Sequence, residues 1–249
     1  MSRKLVFLGC RAPSPSINGF TSIALVYDGD AILIDAGEGT QRYLDRAGIS
    51  LARISTIIIS HLHGDHVLGL IPLMESRSLL GIQRDLTIYG PPGIREFIEE
   101  NMEMLNFRPT YNYNIIEGIN LEVKHNKYAI SSFPVRHSIT TLGLKIRVGG
   151  YSIVYTADTI PCDDVVKNSE NADILIHDST YSYIDRDKAY MHMHSTSVDA
   201  AIAASKANVD LLLLTHISQR YSDLSRLLYE AKSKFFNTLV AEELMYIPL

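Results

Sequence analysis

The sequence predicts an α/β fold with two mixed β-sheets and helices on their outer sides. Short leucine-rich and β-branched segments recur along the chain and are typical of buried strands. Helix-like segments lie among them rather than at one end, and this arrangement repeats coarsely in the two halves, which favours two mixed sheets with flanking helices. No linker, low-complexity tract or charge block divides the 249 residues, so we expect a single domain over 1–249.

The predicted strands share an apolar or alternating pattern that ends at turn-forming residues. They cover residues 5–9, 22–27, 31–35, 57–59, 86–90, 120–125, 128–135, 141–148, 151–156, 173–177, 210–215 and 238–240. The predicted helices cover residues 40–47, 65–80, 91–105, 163–168, 195–207 and 220–235. Proline at the start of the third helix suits a first helical turn. Ser195, Thr196 or Ser197 is the expected N-cap of the alanine-rich fifth helix.

Composition and charge exclude several classes of protein. The chain is 46% hydrophobic and 20% charged, which is ordinary for a globular protein. No apolar run approaches the roughly 20 residues of a membrane span, and two cysteines form no disulfide framework. These features predict a soluble, cytoplasmic protein without a membrane partner. The formal net charge of −5 argues against a large, non-specific contact with nucleic-acid phosphates.

A dense cluster of metal-binding residue types follows the apolar run 57–59. His61, His63, Asp65 and His66 lie within six residues, just past the end of a predicted strand, where a loop can aim side chains at a ligand. Imidazole and carboxylate groups suit zinc or a similar first-row ion. In an extended turn His61 and His63 point to one side, whereas Asp65 and His66 enter the next helix and face a second position. The motif therefore predicts ligands for two metal ions.

Four residues around one loop cannot complete two coordination shells, so more distant partners are expected. Later predicted strands also end in ligand-type residues, and the best partners are His137, Asp158 and His216. A lone histidine after a strand is commonly structural, but here the first motif requires further ligands. Asp35, at the end of the third strand, is either a partner of a metal-bound histidine or a turn aspartate.

These residues resemble the metallo-β-lactamase superfamily, and within it the ribonuclease Z branch. Ser60-His61-Leu62-His63-Gly64-Asp65-His66 is similar to the superfamily motif. Asp35 to Gln41, His177-Asp178-Ser179-Thr180, His194-Ser195-Thr196 and Leu214 to Tyr221 resemble motifs of the branch. The resemblance runs from Leu5 to about Glu243 and implies a four-layer αβ/βα sandwich of two mixed β-sheets.

The resemblance also implies the ligand set and the chemistry. One Zn²⁺ ion is expected on His61, His63 and His137, and a second on Asp65, His66 and His216, with Asp158 as the bridge; Mn²⁺, Fe²⁺ or Co²⁺ could occupy the same ligands. Two such ions can hold a hydroxide and stabilise an in-line displacement at phosphorus. Asp65 is the residue expected to orient the attacking water. His194 is the candidate general acid for the leaving ribose oxygen, oriented by Asp178, where the family usually has glutamate.

The sequence departs from the family in two segments that contact the substrate. The family commonly has a long arm between the residues matching His137 and Asp158, but here that interval has room only for two strands and a turn at Gly149-Gly150. The loop at residues 13–19 lacks the basic residues common in the family. Lys145 and Arg147 are among the basic residues that could still contact RNA, although scattered surface charge is the simpler interpretation.

The resulting prediction is a zinc-dependent endoribonuclease that removes the 3′ trailer of precursor tRNA, with a homodimer expected from the family. The missing arm motivates an alternative, which is a general phosphodiesterase acting on small or single-stranded substrates. A non-catalytic RNA-binding protein with a structural zinc site and a lactone or thioester hydrolase are further alternatives. Tyr181, Tyr183 and Tyr190 are candidates for stacking on bases, with core or rim packing equally consistent with the sequence.

Overall fold

The computed structural model describes residues 3–13 and 18–249, which fold into two compact units. The first unit comprises the described residues up to Gly118 together with Glu242–Leu249, and the second comprises Ile119–Ala241. The single domain over 1–249 stays a prediction. Residues 14–17 belong to the loop that lacks the family's basic residues, and they lie outside the described residues.

Over the described residues the chain forms fourteen strands in two sheets of seven. They are β1 (Lys4–Gly9), β2 (Ser22–Tyr27), β3 (Asp30–Ile34), β4 (Ile54–Ile58), β5 (Leu86–Gly90), β6 (Tyr113–Glu117), β7 (Glu122–Lys124), β8 (Tyr128–Pro134), β9 (Leu142–Val148), β10 (Tyr151–Tyr155), β11 (Ile174–Asp178), β12 (Leu211–Thr215), β13 (Thr238–Val240) and β14 (Tyr246–Pro248).

Eight α-helices are interspersed with these strands over the described residues. They are α1 (Thr40–Arg46), α2 (Gly64–Val67), α3 (Leu70–Leu79), α4 (Ile94–Met104), α5 (Asp163–Asn168), α6 (Arg186–Met191), α7 (Ser197–Ala207) and α8 (Ser225–Lys232). Thr196 is the N-cap of α7 and forms a capping box with Asp199. No helix within the described ranges is long and apolar enough to cross a membrane.

The first unit has the sheet order β14-β1-β2-β3-β4-β5-β6. The strands from β14 to β3 pair antiparallel, and those from β3 to β6 pair parallel. Leu33 of β3, Ile57 of β4 and Ile88 of β5 are fully buried in a core with Leu70 and Met74 of α3. Because β3 and β4 are parallel neighbours, their carboxyl ends lie at the same edge of the sheet.

The second unit has the sheet order β13-β12-β11-β10-β9-β8-β7. The strands from β13 to β10 are parallel, and those from β10 to β7 are antiparallel. Val154 and Leu212 pack against Ala200 and Ala204 of α7, whose small side chains allow close approach. The strands β8, β10, β11 and β12 run in one direction, so their carboxyl ends share one edge.

The interval expected to lack a long arm contains only β9, β10 and a tight turn. Gly149 and Gly150 join the two strands with φ angles of 59° and 95°. Two consecutive positive φ values fit a two-residue hairpin turn and favour glycine at both positions. The structure therefore confirms the short connection predicted between His137 and Asp158.

The predicted helix over 65–80 is wrong as a continuous element, because the chain forms α2 and α3 with a break at Gly69. The Gly69 amide donates to the Ala36 carbonyl at 2.8 Å. A Cβ atom at position 69 would lie 2.0 Å from the Gly37 carbonyl oxygen. The helix is thus interrupted at Gly69 because the backbone there lies against the backbone of Ala36 and Gly37, which are distant in sequence.

Other differences concern short or one-sided elements. The predicted helix over 220–235 is shorter, at Ser225–Lys232. The strands β6 and β14 and the helix α6 were not predicted. In β6 only Ile115 is buried, so the segment lacks the apolar pattern by which strands are recognised.

Candidate metal centre and acid–base pair

The first unit holds four of the predicted ligands on the segment that follows β4. His61 is fully buried and its Nε2 lies 3.2 Å from Nδ1 of His63. Asp65 and His66 lie on α2, where Asp65 Oδ2 is 3.5 Å from His66 Nε2. The His61 and His66 ring centroids are 4.0 Å apart. Three imidazoles and a carboxylate are therefore gathered around one loop, as the motif predicted.

Asp35 fixes the orientation of this loop. Its buried carboxylate accepts hydrogen bonds from the Ser60 amide at 2.7 Å, the Ser60 hydroxyl at 2.9 Å and His66 Nδ1 at 2.9 Å. Ser60 Oγ in turn accepts from His61 Nδ1 at 3.0 Å. Because both Nδ1 atoms donate to oxygen, Nε2 is the candidate metal-binding atom of His61 and of His66. Of the two interpretations of Asp35, the structure places it as a partner of these histidines.

The second unit holds the other three predicted ligands at the edge where β8, β10 and β12 end. Asp158 Oδ2 lies 3.4 Å from His216 Nε2 and 3.8 Å from His137 Nε2. His137 Nδ1 donates to the Met193 carbonyl at 2.8 Å, and His216 Nδ1 donates to Thr180 Oγ1 at 2.8 Å. Both histidines thus point Nε2 toward the same carboxylate, so the three predicted ligands of this unit lie together.

The half-buried His194 and the buried Asp178 form a pair next to these predicted ligands. His194 Nδ1 lies 2.9 Å from Asp178 Oδ2, and the His194 ring stacks on the His216 ring with centroids 5.2 Å apart. Asp158, His194 and His216 each offer a donor atom, and these atoms lie within 4.8 Å of one another. The contact expected between Asp178 and His194 is therefore present, although an aspartate stands where the family usually has glutamate.

Backbone donors explain how the shorter aspartate is held in place. Asp178 Oδ1 accepts from the Thr180 amide at 2.9 Å and its hydroxyl at 2.7 Å. Asp178 Oδ2 accepts from the Thr159 amide at 3.0 Å. Burial by itself raises the pKa of Asp178, but His194 and its hydrogen bond outweigh burial, and the pKa lies below its ordinary value. The carboxylate is therefore ionised at neutral pH and accepts the hydrogen bond from His194 Nδ1.

Burial disfavours the charged form of two histidines near this site. It lowers the pKa of His137, despite the nearby Asp158 carboxylate, and a neutral imidazole is the form that binds metal. It also lowers the pKa of His177, whose Nδ1 donates to the Asp178 carbonyl at 2.7 Å. For His177 the structure thus shows a buried histidine bonded to backbone, rather than a ligand.

Several residues with left-handed backbone conformation lie beside this chemistry. Asp35, Ala157, Met193 and His216 have φ angles of 57°, 52°, 60° and 58°. Such values are uncommon for residues other than glycine and tend to concentrate at functional sites. Each of these residues is a ligand candidate, the neighbour of one, or the acceptor of a ligand's hydrogen bond.

Sequence reasoning missed the roles of Ser60, Thr180 and the Met193 carbonyl. Ser60 and Thr180 belong to the quoted motifs, and their hydroxyls beside histidines were the available signal. The Met193 carbonyl left no signal, because any residue provides that group. Tyr181 is only 3% exposed and its hydroxyl bonds to His192 at 2.6 Å, so it cannot stack on a base. Tyr190 stays a stacking candidate, since it is 43% exposed.

The donor set and the fold define the class of protein. Residues 30–217 match the family model of the Beta-lactamase superfamily domain, so the chain belongs to that superfamily. It is 35% identical to a ribonuclease Z of Methanothermobacter thermautotrophicus, over 98% of this chain and 96% of that protein. It is 32% identical to a ribonuclease Z of Ignicoccus hospitalis, over 97% and 96%.

A solved structure agrees with these relatives. The crystal structure of the short form of human tRNase Z has a TM-score of 0.85 and 30% identity, and covers 98% of each chain. Within the superfamily, the chain belongs to the ribonuclease Z family. The predicted resemblance and the predicted metallo-β-lactamase fold, with two mixed sheets flanked by helices, are confirmed. The fold and its cluster of histidines and aspartates support a divalent-metal site.

The relatives carry segments that this chain lacks. The alignment with the Methanothermobacter protein runs over 295 positions, whereas this chain has 249 residues. The short turn between β9 and β10 agrees with a loss of residues in that interval. The alignment with that relative therefore contains positions that this chain does not fill.

Proposed function

We propose that this chain uses two Zn²⁺ ions to remove the 3′ trailer of precursor tRNA. As a member of the ribonuclease Z family it is a hydrolytic endoribonuclease, as the sequence predicted. The His194–Asp178 pair, 2.9 Å apart and next to Asp158 and His216, is the observation that carries the proposal. The pair supports the proposal because it would supply a proton donor beside the expected metal ligands.

The residues present fit the ions that the family implies. His61, His63 and His137 would hold one ion, and Asp65, His66 and His216 the other, with Asp158 as the bridging ligand. The support is the donor chemistry, in which imidazoles held through Nδ1 and buried carboxylates suit zinc. When bound, such a pair of ions activates water near neutral pH and stabilises charge at phosphorus.

The side chains supply the proton transfers and the orientation. Asp65 is 6% exposed and would accept a hydrogen bond from the attacking water, which fixes its approach. His194 would donate its Nε2 proton to the leaving ribose oxygen. Asp178 would orient the imidazole through Nδ1, in the manner of a carboxylate that holds a catalytic histidine.

A cleavage assay with precursor tRNA tests the proposal. The wild-type chain, Asp65→Ala and the control His125→Ala are incubated with a 3′-extended precursor, and the products are sized. His125 is exposed on the turn between β7 and β8, so its variant should cleave normally. We expect one discrete cut at the 3′ end of the mature tRNA, absent with Asp65→Ala. Hydrolysis of bis(p-nitrophenyl) phosphate without any discrete RNA cut would refute the proposal.

The short turn between β9 and β10 favours a second candidate, a general phosphodiesterase that acts on small or single-stranded substrates. Competition between folded precursor tRNA and an unstructured oligonucleotide of the same length separates the two. A strong preference for the folded RNA rules out the second candidate.

Metal identity, assembly and location complete the proposal. Elemental analysis of the purified chain should find two zinc atoms per chain, whereas manganese, iron or cobalt would change the assignment. The family resemblance is the only support for a homodimer, which light scattering should detect as twice the chain mass. Cytoplasmic location is proposed because the substrate is precursor tRNA, and cell fractionation tests it.

A further inference from the structure

A basic cleft lies on the face of the second unit's sheet that also packs against α5 and α7, at the end formed by β7, β8 and β9. It has a volume of about 220 Å³ and is lined by Glu122, Val123, Lys124, Ala129, Ile130, Ser131, Lys145 and Arg147. Val123 and Ile130 are buried, so the exposed lining consists of charged and small side chains. We define these eight residues as the β9 cleft.

The cations of the β9 cleft are held side by side by the sheet. Lys145 and Arg147 lie two residues apart on β9, so their side chains leave the same face. Ser131 is paired with Lys145, and Ala129 with Arg147, across the β8–β9 ladder. These small partners leave open space between the two long basic side chains.

Two of the three cations are not neutralised. Lys124 pairs with Glu122 at 2.6 Å, which uses the only acid in the lining. Among the residues that the structure describes, Lys145 and Arg147 have no carboxylate within 4.0 Å. By contrast, Arg46 pairs with Glu243 at 2.7 Å, and Arg220 lies 4.6 Å above the Tyr181 ring. The cleft therefore retains about two positive charges in a chain whose net charge is −5.

The position of the cleft relates it to the ligands of the same unit. Val154, which is paired with Lys145 across β9 and β10, belongs to the core under α5 and α7. The cleft is thus the part of this face that the helices leave uncovered. Ser131 precedes His137 by six residues, at most about 20 Å of extended chain. A double-helical stem is long enough to extend over the cleft and these predicted ligands together.

We propose that the β9 cleft binds the phosphate backbone of the substrate's double-helical stem, at a distance from the cut. This inference rests on the proposed function and adds to it a contact that replaces part of the missing arm. Phosphate fits because lysine and arginine bind it without reading sequence, and the small residues between them admit a backbone. A protein partner is disfavoured, since the cleft exposes no aromatic or large apolar anchor.

Equilibrium binding of mature, unextended tRNA tests the cleft without cleavage. Wild type, Lys145→Ala/Arg147→Ala, the charge-preserving Lys145→Arg/Arg147→Lys and the control Lys232→Ala/Lys234→Ala are titrated at several salt concentrations. We expect the first double variant to raise Kd about tenfold at physiological salt and to reduce the slope of log K against log salt by about 2. The charge-preserving variant and the control, which removes two cations near the end of α8, should bind like wild type.

The outcomes separate the cleft from the proposed function. An unchanged Kd and salt slope in Lys145→Ala/Arg147→Ala would overturn the cleft, even if precursor tRNA is still cut. An equal loss of binding for an unstructured oligonucleotide would overturn the assignment to a double-helical stem. If wild type fails to cut precursor tRNA but binds tRNA through these two residues, the cleft stands and the proposed function falls.

Discussion

Replacing His194 should slow RNA cleavage far more than hydrolysis of an activated diester. The leaving ribose oxygen of RNA needs a proton, whereas p-nitrophenolate leaves without one. General acid catalysis typically contributes about 10²–10⁴ in rate, or about 2.7–5.5 kcal/mol of barrier. We therefore expect His194→Ala to lose 10²–10⁴ in kcat on precursor tRNA, and less than about tenfold on bis(p-nitrophenyl) phosphate.

Two substitutions of Asp178 test the contribution of its hydrogen bond to His194. Its hydrogen bond to His194 is 2.9 Å long and links a fully buried carboxylate to an imidazole. Such charge-assisted bonds contribute about 1.5–3 kcal/mol, so Asp178→Asn should lose roughly ten- to a hundredfold on RNA. Asp178→Glu restores the family's usual residue and should recover much of that loss. Thermal unfolding of each variant separates a folding defect from a catalytic one.

One result would refute this reasoning. His194 also offers a donor atom within 4.8 Å of donor atoms of Asp158 and His216. If His194→Ala loses equal activity on both substrates and also loses bound metal, then His194 is a metal ligand rather than the general acid. The control His125→Ala should change neither activity, because His125 lies exposed at a turn.

Three further predictions concern packing and thiol chemistry. Gly69→Ala would place a methyl group 2.0 Å from the Gly37 carbonyl oxygen, so it should cost about 3 kcal/mol and lower Tm by roughly 6–12 °C; an unchanged Tm would contradict the backbone contact. Arg77 is fully buried and donates to three backbone carbonyls. Arg77→Met should therefore lower the free energy of unfolding, measured by urea titration, by about 3 kcal/mol. An unchanged free energy of unfolding would show that those carbonyls find other donors. Burial raises the pKa of Cys10 to about 12, so only about one thiol in ten thousand is thiolate at pH 8. Iodoacetamide should therefore modify Cys162 alone until the chain is unfolded, which mass spectrometry of the native protein checks. Early modification of Cys10 would disprove this prediction.

The strands and the residues that follow them were largely predictable from the sequence. Apolar runs such as 211–215 identify buried strands, because burial of a strand leaves an uninterrupted apolar segment. The residue types that follow those runs identified the ligand candidates. The helix over 65–80 shows the limit, since only the approach of Gly69 to Gly37 breaks it, and periodicity carries no information on such contacts.

The function of Asp35 shows a second limit. From the sequence it was equally a turn residue or the partner of a histidine. Its hydrogen bond to His66 Nδ1 depends on the pairing of β3 with β4, which brings residues 31 positions apart into contact. The same holds for Thr180, whose hydroxyl reaches His216 across the ends of β11 and β12.

By itself the sequence determined the class of fold, the candidate ligands and the family, because strand patterns and ligand spacing are local properties of the chain. It also determined the absence of a long arm between His137 and Asp158. Only the tertiary structure decided which nitrogen of each histidine is bonded to oxygen, and that Asp178 reaches His194 at 2.9 Å. It alone showed that Lys145 and Arg147 share one face of the sheet, where no acidic partner is found among the residues that the structure describes. These features depend on the register between strands, and register is set by packing rather than by any short stretch of sequence.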